Sequence, residues 1–291
     1  MRRLALAFLL SFIFAANTGT QEMPTDYKGV LEALGRSGDY KAGVLKVSVP
    51  RNDLHVSVKG MELPTAFGFG GWVAFTKGDA GMDVMMGDLV LTEDEVNPTM
   101  SALLENGIEV TALHNHFFWE QPRVFYMHVH GHGKAKELAQ QLKPALDLIP
   151  GTTMLRTFIG QLDGEKLSKI IGYPGENIGP VWKITIGRGD IGLKEMGATI
   201  NARMGLNTWA AFYGSMNDAV IAGDVAMLES EVTPVLKALR AKGLQVVAIH
   251  HHMIGTQPVV IFLHYWGRGP AEKLASGFRA AIEKTKAAPK K

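Results

Sequence analysis

Histidine is the residue type in this chain whose number and spacing suggest chemistry. Five of the ten histidines lie between positions 114 and 132, and four more lie between positions 250 and 264. On a β-strand, residues i and i+2 project from one face, so His114 and His116 would bring two imidazoles close together. Two imidazoles and a following carboxylate, Glu120, suit a divalent transition metal such as zinc, copper, iron or manganese. The spacing therefore predicts a metal site with coordination positions left open for water or substrate.

The predicted ligands come in two matching sets, because three of these histidines recur 136 residues later. The first set consists of His114, His116 and His128, and the second of His250, His252 and His264. His130 is also a candidate ligand, although the second copy has Trp266 in its place. Asp88 and its counterpart Asp224 are further possible ligands. Alternatively, the histidines could form hydrogen bonds that stabilise the fold alone.

The strand order leaves open whether one ion could contact the whole first set. If the chain forms a tight hairpin around residues 117–122, His128 falls opposite Thr111, about 10 Å from His114 at about 3.3 Å per residue. His128, His130 and Glu120 could not then all bind one ion together with His114. Either the two strands do not form a tight hairpin, or the histidines form two separate clusters.

The two copies differ beside their histidine pairs, and the first copy has more groups that could take part in catalysis. Glu120 is replaced by Thr256 in the second copy, and Arg123 is replaced by Val259. We therefore expect any catalysis in the first copy. Glu120 could bind the metal or act as a general base on metal-bound water. Arg123 could hold an anionic group through two hydrogen bonds, or alternatively form a surface ion pair.

The histidine stretches belong to a longer internal repeat. Each copy has the same order of several short strands, a helix, two strands and a final helix. This order predicts an α+β fold of two tandem repeats, each a mostly antiparallel sheet with two helices, packed as a pseudo-dimer. We predict a first repeat at residues 25–150 and a second repeat at residues 165–285. A signal peptide at residues 1–20 and a disordered tail at residues 286–291 would flank them.

Local patterns place some elements more closely. Alternating or continuous apolar residues predict strands at Leu45–Val49, Leu54–Val58, Trp72–Phe75 and Val84–Leu91. The next helix could begin at Asn97 with Pro98 in its first turn, or earlier at Thr92 with Glu95 completing a capping box. The last helix of each copy has an apolar face, formed by Leu138, Leu142 and Leu146 in one copy and Leu274, Phe278 and Ile282 in the other.

The start of the chain and its composition predict an exported protein. Arg2 and Arg3 precede an apolar run from Leu4 to Ala16, which is typical of a secretory signal peptide and short for a membrane span. We therefore expect a periplasmic or secreted protein without a stable membrane anchor. The formal charge of +2 gives no extended basic face, so we expect no nucleic-acid partner. The absence of cysteine excludes disulfides, thiolate metal sites and cysteine nucleophiles.

The longer motifs resemble a known family. Met86–Leu103 reads MGDLVLTEDEVNPTMSAL and is followed by IEVTALHNH and PRVFYMHVHGHG. This succession resembles the LppY/LpqO family, a bacterial domain family of unknown function, and the second copy with VVAIHHHM and QPVVIFLHYWG resembles the same domain. The resemblance implies an exported envelope protein with tandem domains and supplies no established reaction. The family pattern has His-Asn-His, Glu and Pro-Arg, from which the second copy departs at His251, Thr256 and Val259.

Together, these patterns predict an exported protein with a divalent-metal site in its first repeat. Such a site could serve a metal-dependent hydrolase or lyase. Alternatively, the protein could bind a metal ion or an envelope ligand without turnover, or the histidines could only stabilise a pseudo-dimer. The sequence names neither the small-molecule or envelope ligand nor the metal.

Overall fold

In the part of the chain that the structure describes, residues 22–150 and 159–286, each repeat has three helices and a six-stranded antiparallel sheet. The structure is a computed structural model. The predicted signal peptide at residues 1–20 lies outside the described residues, and so does the predicted tail at residues 286–291 except for Lys286. Among the described helices, none is long and apolar enough to cross a membrane.

The first repeat begins and ends with a helix. Its helices are α1 (Thr25–Leu34), α2 (Glu93–Glu105) and α3 (Ala135–Leu146). Its strands are β1 (Asp39–Lys41), β2 (Val44–Pro50), β3 (Ser57–Val58), β4 (Met61–Glu62), β5 (Gly70–Lys77), β6 (Asp83–Thr92), β7 (Glu109–His114), β8 (Glu120–Gln121) and β9 (Val124–Gly133). The main sheet has the order β1-β2-β5-β6-β9-β7, so β7 lies at its edge.

The second repeat follows the same plan. Its helices are α4 (Gly164–Ile171), α5 (Glu229–Ala241) and α6 (Ala271–Ile282). Its strands are β10 (Glu176–Ile178), β11 (Val181–Gly187), β12 (Lys194–Glu195), β13 (Ala198–Thr199), β14 (Asn207–Gly214), β15 (Ala219–Leu228), β16 (Gln245–His250) and β17 (Val260–Gly269). The main sheet has the order β10-β11-β14-β15-β17-β16, which places β16 at the edge that corresponds to β7.

This architecture confirms the predicted α+β class with two tandem repeats and antiparallel sheets. Each repeat also has a first helix, α1 or α4, that the sequence analysis did not predict. The predicted strand at Leu54–Val58 is a strand only at Ser57–Val58. The rest of that segment is irregular, and its apolar side chains pack against the other repeat instead of joining the sheet.

Helix α2 has the earlier of its two predicted starts. The backbone N–H of Thr92 donates a hydrogen bond to the carboxylate of Glu95 at 2.8 Å, which satisfies one of the free amides at the helix start. The helix therefore begins at Glu93, and Pro98 lies within it. In α5, the N–H of Leu228 bonds the corresponding glutamate in the same way.

A buried arginine ties each of these helix starts to the preceding strand. The guanidinium of Arg51 is 1% exposed, donates to Asp53 and Glu95, and bonds the carbonyl of Val90. In the second repeat, Arg188 contacts Asp190, Glu231 and the carbonyl of Ala226. Since a buried cation is costly without partners, each pair of carboxylates stabilises its arginine and fixes where the helix meets the sheet.

Each sheet is covered by helices on one face and by the other repeat on the opposite face. The two helix-facing cores contain, for example, Val47, Phe75 and Met127 in the first repeat and Ile184 and Phe212 in the second. Two further apolar clusters combine residues from both repeats. The central strands are therefore buried on both faces, and the predicted packing of the repeats as a pseudo-dimer is present.

The two shared clusters are built by reciprocal arms. The first arm, residues 51–69, contributes Val56, Leu63, Phe67 and Phe69 to a cluster with Val181, Ala211, Val220 and Ala222 of the second repeat. The second arm, residues 188–206, contributes Leu193, Ile200, Met204 and Leu206 to a cluster with Val44, Ala74, Val84 and Met86 of the first repeat. Each repeat thus covers the sheet of the other, so the space between the sheets depends on both.

Candidate metal centre

Matching rows of side chains cross the two facing sheets. In the first sheet the row consists of Ser48, Trp72, Asp88 and His128, which are partners across β2, β5, β6 and β9. In the second sheet it consists of Thr185, Trp209, Asp224 and His264. Neighbouring residues such as Val47 and Val73 pack against the helices, so strand alternation points both rows toward the other repeat.

The edge strands bring a further histidine from each repeat to the pseudo-two-fold axis. His114 ends β7 and His250 ends β16. Their rings stack with centroids 3.7 Å apart. The hydroxyl of Thr111 donates to the carbonyl of His252 at 2.7 Å and joins the two edges. We predicted His114 in one ligand set and His250 in the other, whereas the structure places their rings together.

A β-bulge settles the register question that the sequence left open. Strands β7 and β9 pair antiparallel, but their register shifts between Val110 and Ala112. His128 therefore lies opposite Ala112, and the rings of His114 and His128 are 5.1 Å apart between centroids. The same shift occurs between β16 and β17. These two histidines consequently belong to one cluster.

His116 and His252 complete the cluster, and each is held between two rings. His116 stacks on Tyr126 at 3.3 Å between centroids and on His264 at 3.6 Å. His252 stacks on Phe262 at 3.4 Å and on His128 at 4.0 Å. Both contacts to histidine cross between the repeats. The histidine cluster, defined as His114, His116, His128, His250, His252 and His264, is therefore built equally by the two copies.

Backbone hydrogen bonds orient three of these imidazoles. Nδ1–H of His264 donates to the carbonyl of Gly223 at 3.2 Å, and that of His250 donates to the carbonyl of His251 at 3.2 Å. His128 makes the corresponding bond with the backbone of Gly87. Because a carbonyl only accepts, Nδ1 has the proton and Nε2 keeps a lone pair. Histidines that bind metals usually show this arrangement.

Several ring nitrogens of the cluster have no hydrogen-bond partner although they are buried. Within the described residues they include Nε2 of His128, His250 and His252, Nδ1 of His114, and both nitrogens of His116. A buried polar atom without a partner costs about 1–3 kcal/mol. Six such atoms in one place are therefore an expensive arrangement for histidines that serve the fold alone. A cation bound by the free lone pairs would remove part of this cost.

Burial keeps the imidazoles of the cluster neutral. It lowers the pKa of His250 to about 4, and it lowers the pKa of the five other histidines well below the ordinary value. The positive charge that each neighbouring imidazole would have adds to this effect for most of them. Neutral imidazole is the form that binds a metal ion, so these side chains are available as ligands at physiological pH.

Three groups of side chains in the described structure are close enough to share an ion. They are His114 with His116 and His264, His114 with His128 and His250, and His250 with His264 and Asp224. In each group the ligand atoms lie within 4.8 Å of one another. The first two groups take ligands from both repeats, and the third takes its ligands from the second repeat alone. Any two of the groups share one histidine.

Two aspartates lie beside the cluster. Oδ1 of Asp88 is buried without a hydrogen-bond partner, and burial raises the pKa of this carboxyl to about 8, partly opposed by Lys46. Asp224 accepts a bond from the N–H of Leu263 at 3.1 Å and lies 3.6 Å from Nε2 of His252. Burial also raises the pKa of Asp224 well above its usual value.

A cavity of about 750 Å³ lies between the sheets next to the cluster. His116, His252, His264, Asp88 and Asp224 line one part of it. Lys46 and Lys183, one from each repeat, line another part. The ammonium of Lys46 lies 4.1 Å from the centre of the Trp72 ring, and that of Lys183 lies 4.5 Å from Trp209. The histidine cluster is thus accessible to a small molecule from this cavity.

His130 is placed apart from the histidine cluster. Its Nδ1 is 3.0 Å from Glu109 and its Nε2 is 3.1 Å from Glu195 of the second repeat. Burial lowers the pKa of His130, but the two carboxylates outweigh this effect and raise it overall. Both ring nitrogens face carboxylates, so His130 forms a structural link between the repeats.

The two side chains predicted for catalysis also lie elsewhere. Glu120 is buried in β8, which pairs with β3, and receives a hydrogen bond from Asn115 at 3.3 Å. Burial raises the pKa of Glu120. Arg123 is exposed. Neither residue lines the cavity or belongs to a group that could hold an ion, so the structure does not bring them to the predicted metal ligands.

Sequence reasoning missed the lysine and tryptophan pairs of the cavity. Trp72 and Trp209 match at an offset of 137 residues, and Lys46 and Lys183 match at the same offset. This repetition was a usable signal, because it preserves a charged residue within an otherwise apolar strand. What the sequence did not contain was the packing of the two copies face to face, which turns each repeated residue into a pair.

Comparisons with known proteins identify the repeats but no activity. Residues 28–148 and 165–284 each match the family described as Domain of Unknown Function (DUF1259). No curated protein matches the chain. The solved structures with detectable similarity include the trimeric bacterial microcompartment shell protein PduB, at 14% identity over 86% of this chain and 92% of that chain, with a TM-score of 0.21.

Two other microcompartment proteins show similarly weak similarity. EtuB from Clostridium kluyveri is 8% identical over 87% of this chain and 96% of its own, with a TM-score of 0.20. The double-ringed trimeric shell protein MSM0271 from the RMM microcompartment is 10% identical over 70% of this chain and 81% of its own, with a TM-score of 0.18. Scores this low support no inference about fold or function.

Proposed function

The chain belongs to the Domain of Unknown Function (DUF1259) family, and from the geometry of its histidine cluster we propose that it binds one divalent transition-metal ion between its two repeats. The observation that supports this most directly is the set of buried imidazole nitrogens without partners. Nε2 of His264 lies 3.1 Å from Nε2 of His114, but two of the other rings, His128 and His250, have the opposite nitrogen bonded to backbone. They are therefore fixed with a lone pair available to a cation.

The shared ligands favour one ion per chain. His114, His250 and His264 each belong to two of the three possible groups. A neutral imidazole has one lone pair, so filling one group uses a ligand that the other two need. The bound ion would have mainly imidazole ligands, which suit zinc, copper, iron or nickel better than magnesium or calcium. No thiolate can contribute, since the chain has no cysteine.

A three-imidazole site leaves a coordination position for water or a substrate group. A metal ion in such a position lowers the pKa of bound water and polarises carbonyl or phosphoryl oxygens. A metal-dependent hydrolase or lyase is therefore the more specific form of the proposal, with the cavity as the place where substrate enters. Glu120 and Arg123 have no role in it, because they do not line that cavity.

Metal content provides the test. We would purify the protein without a histidine tag, remove metals with a chelator, add zinc or cobalt, and measure bound metal by mass spectrometry after gel filtration. We expect one equivalent per chain. The double variant His114→Ala, His250→Ala affects all three groups and should retain less than a tenth of it.

The matched control is His251→Ala. This histidine lies next to the cluster in sequence, its side chain is exposed, and its backbone carbonyl accepts the hydrogen bond from His250, which the substitution leaves in place. It should bind metal as the unchanged protein does. A chain that binds no transition metal, or a double variant that binds as much as the control, would contradict the proposal.

The assignment to the LppY/LpqO family and the export of the protein stay predictions from the sequence. We propose a periplasmic or secreted location because Arg2, Arg3 and the apolar run that follows have the layout of a signal peptide. Fractionation of cells that express the full chain would test this. Protein found in the cytoplasm at full length would contradict it.

A further inference from the structure

We propose that the cavity beside the histidine cluster binds a small organic dianion, and that Lys46 and Lys183 together hold its negatively charged groups. The lysines define the ligand class. A metal ion at the histidine cluster is part of the proposed function, and the inference rests on that function for the positive charge that the ion would add.

Neither lysine has an anionic hydrogen-bond partner in the described structure. Most other lysines among the described residues are exposed, whereas Lys46 and Lys183 are partly buried in the cavity wall. Burial lowers the pKa of both, to about 8 for Lys46, where the charge of Lys183 adds to the effect. Each ammonium contacts the face of a tryptophan. The charge of Lys183 disfavours the charged form of Lys46, and a negatively charged ligand between the two ammonium groups would offset this repulsion.

The charges that line the cavity favour a dianion. Three lining residues are cationic, Lys46, Lys183 and Arg203, and three are acidic, Asp88, Glu176 and Asp224. Burial raises the pKa of Asp88 to about 8 and that of Asp224 well above its usual value, so these carboxyls offset the cations only in part. A divalent ion at the histidine cluster would add further positive charge. A ligand with two negative charges could meet the ammonium groups of both lysines.

The pseudo-two-fold arrangement predicts how the ligand lies. Lys46 and Lys183 occupy equivalent positions, as do Ser48 and Thr185, and all four line the cavity. A ligand near the axis would meet one ammonium and one hydroxyl from each repeat. We therefore expect the two lysines to contribute about equally.

The size of the cavity favours a small organic molecule over a bare inorganic anion. Its volume of about 750 Å³ is in the range of sites that enclose small organic molecules. The two tryptophans provide apolar surface for the uncharged part. Phosphate monoesters and dicarboxylates share this chemistry, so the experiment includes one of each.

The test is calorimetric titration of the zinc-loaded full chain with phenyl phosphate and with malonate. Acetate, which has one charge, is the control ligand. The variants are Lys46→Met and Lys183→Met, because methionine keeps an apolar chain against the tryptophan and removes only the charge. Lys59→Met is the matched control, since Lys59 also lies over a tryptophan, at 3.8 Å from Trp119, but outside the cavity.

We expect a dianion to bind at least tenfold more tightly than acetate. Each cavity variant should weaken it by about tenfold or more, while Lys59→Met changes nothing. Tighter binding of phenyl phosphate than of malonate would identify the ligand as a phosphate monoester, and the reverse would identify it as a dicarboxylate. Metal content is measured on every variant, so that a loss of zinc is not read as a loss of lysine contacts.

The outcomes separate the two proposals. One zinc per chain with no dianion binding, or with binding that the lysine variants leave unchanged, overturns the inference and leaves the metal site. No zinc, but dianion binding that depends on both lysines, upholds the lysine pair and overturns the metal site. Neither zinc nor lysine-dependent binding overturns both.

Discussion

At the scale of single residues, the cluster is unusual for its free lone pairs rather than for its number of histidines. His130 shows the contrast within the same chain. Both of its ring nitrogens face carboxylates, and its pKa is raised. The ring nitrogens of the cluster histidines lie against other imidazoles or backbone carbonyls, or have no partner, and the pKa values of these histidines are lowered. An imidazole that is deprotonated and unpaired is suited to a metal ion, whereas a paired one is suited to structure.

The lowered pKa values give a testable pH dependence. Protons compete with a metal only below the pKa of the ligand, so three histidines of ordinary pKa near 6.5 would lose about a thousandfold in affinity at pH 5.5. The cluster imidazoles have lower pKa values because of burial, about 4 for His250. We expect zinc affinity to fall less than about tenfold from pH 7.5 to pH 5.5.

Competition titrations with a chelator at the two pH values would measure this. Circular dichroism at both values would confirm that the protein stays folded. A thousandfold loss of affinity with the fold intact would show that ordinary, solvent-exposed histidines bind the metal.

A second prediction at this scale concerns Arg51. It is buried and paired with Asp53 and Glu95, so Arg51→Ala would leave two carboxylates without their cation. We expect a loss of about 3 kcal/mol in the free energy of unfolding. Arg268→Ala is the matched control, because Arg268 forms an exposed pair with Asp218 and should have little effect. Chemical denaturation of both variants would decide, and equal effects would contradict the structural role given to Arg51.

At the scale of elements, the arms position the site. Gly205 lies at the end of the second arm with a positive φ of 95°. A Cβ added there would be 3.2 Å from the Trp72 ring of the first repeat and 3.8 Å from Nδ1 of His252. The absence of a side chain at this position therefore lets the arm approach both the cavity wall and the histidine cluster.

Gly205→Ala should consequently affect stability and metal binding together. We expect a loss of about 2 kcal/mol in the free energy of unfolding, from backbone strain and from the contact with Trp72. Gly192→Ala separates the two causes, because Gly192 also has a positive φ, of 64°, but no atom lies within 4 Å of the added Cβ. Denaturation and zinc titration of both variants provide the measurement. An equal loss in the two variants would show that the arm is not closely packed against Trp72.

The elements also show how far the sequence could lead. The antiparallel sheets followed from periodicity and turn signals that are local in the chain, and the repeat followed from comparing its two halves. The capping box at Thr92 was one of two predicted helix starts, and the structure has this one. The bulge between Val110 and Ala112 did not, since nothing in the local pattern marks it, and without it His114 and His128 were placed too far apart. Leu54–Val58 resembled a strand because its apolar side chains are buried, but the other repeat buries them.

At the scale of the whole molecule, the site belongs to neither repeat alone. His116 stacks on His264, and His114 stacks on His250, so the rings interleave across the pseudo-axis. Sequence spacing describes one strand at a time and could not predict this pairing. It led to the expectation of a site in the first copy, where Glu120 and Arg123 lie. The structure instead joins histidines of the two repeats that are far apart in the sequence, such as His114 and His250.

Metal binding should therefore stabilise the molecule as a unit. A ligand that binds only the folded state adds about 2.7 kcal/mol to the free energy of unfolding at a hundred times its dissociation constant. We expect zinc to raise the melting temperature of the unchanged protein and of His251→Ala. Zinc should not change the melting temperature of the double variant His114→Ala, His250→Ala. Calorimetric melting with and without zinc would show this, and an equal rise in the double variant would place the ion elsewhere.

The most direct test of the shared site is a crystal structure of the zinc-loaded chain with data collected at the zinc absorption edge. We predict a single anomalous peak per chain within the histidine cluster, with imidazole ligands that include at least one of His114, His116 and His128 and at least one of His250, His252 and His264. A peak whose ligands come from one repeat alone, or zinc bound only outside the cluster, would contradict the account.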